Sequence, residues 1–486
     1  MEQIRRRRRV KSFRAILVFV VTLVLVIFGA QFLTKTGIFR VPGVVVYDES
    51  LNSEEISALE AVFTDEVSLR KDVKISAYET KNLPDLSEGE YLHSVLVPVT
   101  DFYEIRTDVG EFAEGEYLMI PVEELDFSKK LLSMDGKYYL DDFDSGAIFR
   151  IVKFESDDFD SEIKPLVSGD FEKSFPEKKS VLTFAQTGVT ALSRKMYSKL
   201  IENNGDAEYF AANIREFLTS FDITHTSNES SFTETANADN ICSDPRFINT
   251  LTAIGLDVVE LTGNHNQDCG DDAANETLDM YEKNNIKIVG GGKTANEAAK
   301  PLNISEKNTN ITFLAYNLST GGATLDDTPG ANQYYEENAI KEIGEAKERG
   351  DFVIVDVQYY ECSAYASEYE DSACDFADSA AGDQVGFFRH LIDLGADLVV
   401  GTSAHQPQTF ELYGDGAIYY GLGNLFFDQI WWPGTTRSLV LAHYFYDGKL
   451  LQTKVVPTVY DDSMQTKLLD EDTSRWFIDR LVSERP

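Results

Sequence analysis

The sequence predicts an α/β protein, and three observations carry that prediction. From Ser180 onward, short apolar runs with strand composition alternate with helical patterns. The runs are rich in branched residues, as in Val258–Leu261 and Phe352–Val357, the composition of strands buried on both faces. At 486 residues the chain is long enough for two or three domains and a sizeable core.

The chain opens with Arg5–Arg9, Lys11 and Arg14, a dense cationic block. Residues 15–33 follow with no charge and only Thr22 and Gln31 polar, just long enough to span a bilayer. A basic flank on the N-terminal side keeps that end cytoplasmic and exports the rest. A cleaved signal peptide is the rival reading, but Gly29–Ala30 matches a cleavage site only in part. The expectation is a single-pass membrane protein, with a cytoplasmic tail over 1–14, an anchor over 15–33 and an extracytoplasmic body.

Residues 34–177 read as a small α/β domain. Val44–Val46 is a strand, and Asn52 with Glu55 forms a capping box that opens the helix Ser53–Phe63. Tyr91–Val99, Glu116–Ile120 and Ala147–Phe154 are further strands. Asp141, Asp142 and Asp144 lack the ligand spacing of an EF-hand and read as a solvated loop. Pro176 and the charges around it place a boundary at Ser174–Lys179.

The second domain spans 180–460. Its strands are Val181–Ala185, Asp222–Thr226, Val258–Leu261, Ile286–Val289, Ile311–Ala315, Phe352–Val357, Leu398–Val400 and Ile418–Tyr420. Its helices are Ala207–Leu218, Arg246–Ile254, Ala273–Asn284, Ala339–Arg349 and Gln384–Leu394, the last ended by Gly395. Leu439–Tyr446 and Gln452–Val456 form a hairpin. Residues 461–486 close the chain with the helix Asp472–Val482.

Net charge is −38, and the first 14 residues hold seven basic and one acidic side chain, so the remainder carries −44. Such a body repels nucleic acid and other polyanions. The four cysteines, Cys242, Cys269, Cys362 and Cys374, all fall in the exported part, where disulfides form. Cys242–Cys269 with Cys362–Cys374 is one of three pairings, and the spacing contains no zinc pattern.

Polar residues recur where strands end. Thr187–Gly188, Asn228–Glu229, Asn264–His265, Gln358 with Glu361, and Gly401–His405 each follow a predicted strand. Strand ends are where α/β folds build sites, and five in one domain point to a shared pocket. An Asn offers a metal its carbonyl oxygen, and a His serves as ligand or proton donor. The competing reading is a buried hydrogen-bond network that satisfies turn backbone. Gly290–Thr294 (GGGKT) lacks the first Gly of a phosphate loop and reads as a turn. Phe426, Phe427, Trp431 and Trp432 read either as a ligand platform or as packing. His225, His390 and His443 stand alone and read as structural.

These ends lie in an ordered set of motifs: Gly188–Arg194, Ser227–Glu229, Leu256–Gly270, Ile288–Pro301, Gly395–Gln408 and Tyr420–Asp428. In that order they resemble the CapA family of capsule, or poly-γ-glutamate, synthesis proteins, a branch of the calcineurin-like metallophosphatases. The resemblance implies a metallophosphatase-like β-sandwich flanked by helices. It also implies that Asn264 binds metal and that His265 protonates a leaving group. The chain departs from the metal pattern at Val189, at Gln358, and at Thr402 and Ser403, where relatives carry Asp or His. The expected site has Glu229, Asn264 and His405 as ligands of one divalent metal ion, with His265 and Glu361 as catalytic groups. Asp268, Gln358, Gln408 and Asn424 form its wall. The implied function is synthesis or export of an anionic capsule polymer at the membrane, with partner subunits. The alternatives are a cell-envelope hydrolase of phosphoester or amide bonds and an inactive scaffold.

Overall fold

The computed structural model describes residues 43–486 apart from 64–68, 70, 168–174, 319–321, 323, 325–326, 360–382, 403 and 432. The proposed anchor, Glu361, Cys362, Cys374, Ser403 and Trp432 lie outside the described residues. Among the described residues no helix is long and apolar enough to cross a membrane.

The contacts divide the chain into two compact units, one within 1–96 and 147–175, the other comprising 97–146 and 176–486. In the first, β1 (Val45–Tyr47) pairs in parallel with β2 (Val73–Thr80). The start of β3 (Glu90–Asp101) and all of β2 flank β6 (Ile148–Glu155), antiparallel to it. The helix α1 (Ser53–Val62) opens on the Asn52–Glu55 capping box that the sequence predicts. Leu59, Val73, Ile75, Val152 and Phe154 form the core of this unit.

The segment 97–146, assigned by composition to the N-terminal domain, groups with the larger unit. It holds β4 (Leu118–Pro121) and β5 (Lys129–Leu131). Its ties are long-range: Leu131 N donates to Gln452 Oε1 at 2.7 Å, and Tyr444 Oη donates to Asp141 Oδ1 at 2.7 Å. Contacts between residues three hundred positions apart leave no trace in local composition.

The rest of the larger unit is mixed α/β, as the alternation predicts. One sheet contains β7 (Leu182–Thr190), β8 (Ile223–Asn228), β9 (Val258–Glu260), β10 (Lys287–Val289), β19 (Asn424–Phe426), β20 (Arg437–Tyr446), β21 (Lys449–Val459) and β22 (Lys467–Leu468). Its order is β10-β9-β8-β7-β20-β21-β22, with β19 also on β7. A second sheet runs β12-β13-β15-β16-β18-β17. Its strands are Leu302–Glu306 (β12), Thr309–Asn317 (β13), Phe352–Gln358 (β15), Leu398–Gly401 (β16), Phe410–Tyr413 (β17) and Gly416–Tyr419 (β18). The two-residue strands β11 (Gly291–Gly292) and β14 (Gly330–Ala331) pair apart from both.

Phe184, Ile223, Val258 and Leu441 of the first sheet share one core with Phe313, Ile354, Leu398 and Val400 of the second. Outer faces are covered by helices. Met196 and Leu200 of α2 (Lys195–Glu202), with Leu278 and Tyr281 of α3 (Asp271–Lys283), join a cluster with Val259 and Val440. Ile343 of α4 (Glu336–Arg349) and Phe388 and Leu391 of α5 (Gln384–Asp393) pack with Val355 and Val399. The closing helix α6 (Glu471–Ser483) buries Phe477 and Leu481.

One predicted helix is broken. Ala207–Leu218 divides into a 3₁₀ turn, Ala207–Ala211, and a short helix, Arg215–Leu218. Asn213, a poor helix former, lies between them, and the break lets Phe210, Ile214 and Leu218 all enter one core. Nor do two of the lone histidines stand alone on element faces: His225 and His443 are wholly buried between the sheets.

Candidate functional site

Parallel pairing brings the C-terminal ends of β7, β8 and β9 side by side, with Val189 opposite Ser227 and Ser227 opposite Glu260. In the second sheet Asn317 pairs with Gln358, and Val357 with Gly401. Asn317 Nδ2 donates to the Thr262 carbonyl at 2.6 Å and ties the two sets of ends together.

Glu229 follows β8 and is wholly buried. It packs against Gly263, where an added Cβ would lie 2.8 Å from Glu229 Cα. The next residue, Asn264, accepts at Oδ1 from Gln358 Nε2 at 2.9 Å. Glu229, Asn264 and Gln358 are thus neighbours. On the same turn His265 Nδ1 lies 2.7 Å from Asp268 Oδ2, with the imidazole 27% and the carboxylate 40% exposed. A solvent-reachable imidazole oriented by a carboxylate is equipped for proton transfer. The turn is braced: Asn266 Nδ2 donates to the Leu261 carbonyl at 2.8 Å, and Cys269 is bonded to Cys242. This bridge excludes two of the three pairings left open by spacing; Cys362 and Cys374 lie outside the described residues.

His405 follows β16 and is buried, its Nδ1 3.0 Å from Asn424 Oδ1. Asn424 Nδ2 donates to Gln429 Oε1 at 3.1 Å and to the Thr435 carbonyl at 3.0 Å. The amide oxygen therefore faces the ring, and Nδ1 donates to it. Asn424 reaches the same sheet edge by pairing with Val189. Gln408 turns elsewhere, accepting from Gln384 Nε2 at 3.2 Å at the start of α5.

Several residues of chemical interest had been given no role by sequence. Beneath the strand ends, Asp356 accepts from Gln186 Nε2 at 2.6 Å and lies 3.1 Å from His225 Nε2, all wholly buried. Burial and the Asp356 carboxylate push the Glu260 carboxyl up, against the bonds it accepts from Thr262. The signal for both acids was a carboxylate inside an apolar run, Asp356 in FVIVDVQ and Glu260 after Val258–Val259. Beside His405, Arg194 donates to the buried Asp428 at 2.5 Å. Its guanidinium lies 4.8 Å from the Phe427 ring centre and 5.9 Å from that of Trp431, and Lys195 Nζ is 5.3 Å from the latter. Arg194 adopts φ 53°, a left-handed conformation that L side chains rarely take. It ends the first motif of the ordered set, a position that by itself implies no function.

A metal centre needs several hard or imidazole donors around one point. Among the described residues no three His, Cys, Asp or Glu side chains gather in that way. The Asn264 oxygen that would ligate is taken up by Gln358. The described residues alone do not fit a metal ion.

Residues 183–429 match the family description "Bacterial capsule synthesis protein PGA_cap". The chain is 30% identical over 204 residues to the PGA biosynthesis protein CapA of Bacillus subtilis, a match covering 41% of this chain and 50% of that one. It is 23% identical over 245 residues to the capsule biosynthesis protein CapA of Bacillus anthracis, covering 47% and 56%. A probable polyglutamine synthesis accessory protein of Mycobacterium tuberculosis is 27% identical over 194 residues, covering 37% and 48%. The chain thus spans about half the length of the curated relatives it matches. With the family description matching just over half of its residues, and every one of the strand ends above falling inside that stretch, the chain belongs to the PGA_cap family of bacterial capsule synthesis proteins.

Proposed function

We propose that this protein is a membrane-anchored accessory factor in the synthesis or export of an anionic capsule polymer of the poly-γ-glutamate type, acting with synthesis partners. Family membership supports the polymer, and the basic block followed by residues 15–33 supports the anchor. The two sheets with a shared core and helices outside support a metallophosphatase-like layering.

The observation that carries the reading is the ledge made by Arg194, Lys195 and Trp431 beside His405. In a chain of net charge −38, two cations are held over an aromatic face at the strand ends. A polymer carboxylate meets Arg194, and its methylene groups pack on the indole. Holding Arg194 at φ 53° costs about 1–3 kcal/mol, and the bond to buried Asp428 keeps it there. Strain retained at a family motif is characteristic of a residue used for binding.

In a polymer-producing cell, deleting the gene lowers cell-associated polymer. The full chain restores it, and Arg194→Ala restores only part. Unchanged polymer after deletion sinks the capsule reading. The protein should sediment with membranes and resist carbonate extraction; release by carbonate argues against an anchor.

A second reading, a metal-dependent hydrolase, is favoured by wholly buried Glu229 beside Asn264 and by the oriented His265–Asp268 pair. It requires a further ligand from 360–382, where Glu361 stands. Stoichiometric metal in the purified full chain, with phosphoesterase turnover lost in His265→Ala, supports it. Absence of both removes it.

A further inference from the structure

A cavity of about 610 Å³ lies in the larger unit where the 97–146 segment meets β21 and α6, and none of the strand-end residues lines it. Phe102, Phe410, Ile478 and Val482 give it an apolar wall. Phe102 meets Phe410 edge-on at 5.8 Å between ring centres, so the wall is packed and preformed.

Lys130 lines the same cavity. Its ammonium donates to the Glu104 carbonyl at 2.5 Å, one acceptor for three donors, and among the described residues it forms no ion pair. The charged groups around it are matched with one another. Glu104 is paired with Arg106 at 2.7 Å, Asp141 with Lys454 at 3.3 Å, and Asp142 with the Ser145 hydroxyl at 2.6 Å. Arg475 serves both Glu111 and Glu471. Burial depresses the Lys130 ammonium to about 8. A half-buried cation with unused donors is left undercompensated unless an anion joins it.

We propose that this cavity binds a small carboxylate with an apolar body, its oxygens accepting from Lys130 and its body packed on Phe102, Phe410, Ile478 and Val482. The volume suits such a ligand. Lys137 and Lys454 also line the cavity, Lys137 near Asp142 and Lys454 paired with Asp141, so Lys130 is the ammonium that carries the pH-dependent part of the preference, and the surrounding carboxylates disfavour a dianion such as phosphate. The site is separate from the strand ends and does not rest on the capsule reading.

The test is calorimetric titration of the full chain with 2-naphthylacetate and with its neutral alcohol analogue, 2-(2-naphthyl)ethanol. At pH 7 the acid should bind about tenfold or more tighter than the alcohol. Lys130 is charged below about 8 and neutral above it, while the ligand stays ionised throughout. The preference should therefore fade as pH rises from 7 to 10, and Lys130→Met should abolish it at pH 7. No binding, equal affinities at pH 7, or a preference that survives at pH 10 overturns the proposal. Should the variant fail to fold, the pH series on the unaltered protein decides alone.

Discussion

His443 shows how a single buried residue shapes stability. Its ring stacks 5.1 Å from that of Phe184, and Nδ1 lies 2.8 Å from the Thr453 hydroxyl. Burial, with His225 nearby, pushes its pKa down to about 3 from 6.5. Between those values the unfolded chain binds the proton and the folded one does not. The contribution is therefore present above about 6.5 and is lost as pH falls. From pH 7 to 5 this group should remove about 2 kcal/mol. Urea midpoints across that range should fall less steeply in His443→Gln than in the unaltered chain; parallel slopes would rule the residue out. Glu260, raised by burial, acts with the opposite sign, which is why the comparison is between slopes. Gly188 makes a steric prediction. A Cβ there would lie 2.0 Å from the Gly423 carbonyl oxygen, and backbone cannot swing aside. Gly188→Ala should cost about 2–3 kcal/mol through overpacking, read as a lower Tm. An unchanged Tm would mean that β7 and β19 tolerate separation.

At the scale of elements, the turn after β9 is held by bonds from two directions. Ser231 Oγ donates to the Asn266 carbonyl at 2.5 Å, and Cys242–Cys269 closes a loop with a sequence separation of 27. Cross-linking a loop of that size restrains the unfolded chain by about 3 kcal/mol. The double variant Cys242→Ser, Cys269→Ser should lose about that much in urea unfolding. Faster amide exchange over 262–270 should accompany the loss; protection equal to the unaltered chain would show that the hydrogen bonds alone hold the turn. Most strands here were legible from branched apolar runs, and the Asn52 cap from its spacing to Glu55. Their ends were less so. β7 continues to Thr190, beyond the Ala185 end that its sequence suggests, because Gly188 lets the Gly423 backbone pair there.

For the whole molecule, charge is the dominant physical fact. Beyond its first 14 residues the chain carries −44, which repels an anionic polymer over the distance that salt leaves unscreened. Association with poly-γ-glutamate should therefore be weak in monovalent salt and rise severalfold with millimolar Mg²⁺ at matched ionic strength. Light scattering or sedimentation reads this directly. Full affinity without divalent ions would mean that the Arg194 ledge outweighs the bulk field.

The sequence by itself determined what is local: the strand and helix pattern, the uncharged N-terminal run, and the motifs that identify the family. Periodicity and spacing are properties of neighbouring residues, so a single chain displays them. Only the tertiary structure decided that 97–146 joins the larger unit, that Cys242 meets Cys269, and that Gln358 lies on Asn264 while Gln408 faces α5. It alone set Asp356 against His225 inside the core and left Lys130 beside a cavity. Those outcomes depend on which distant segments pack together. Packing is chosen by burial and hydrogen-bond satisfaction summed over the whole fold, and no local window contains that sum.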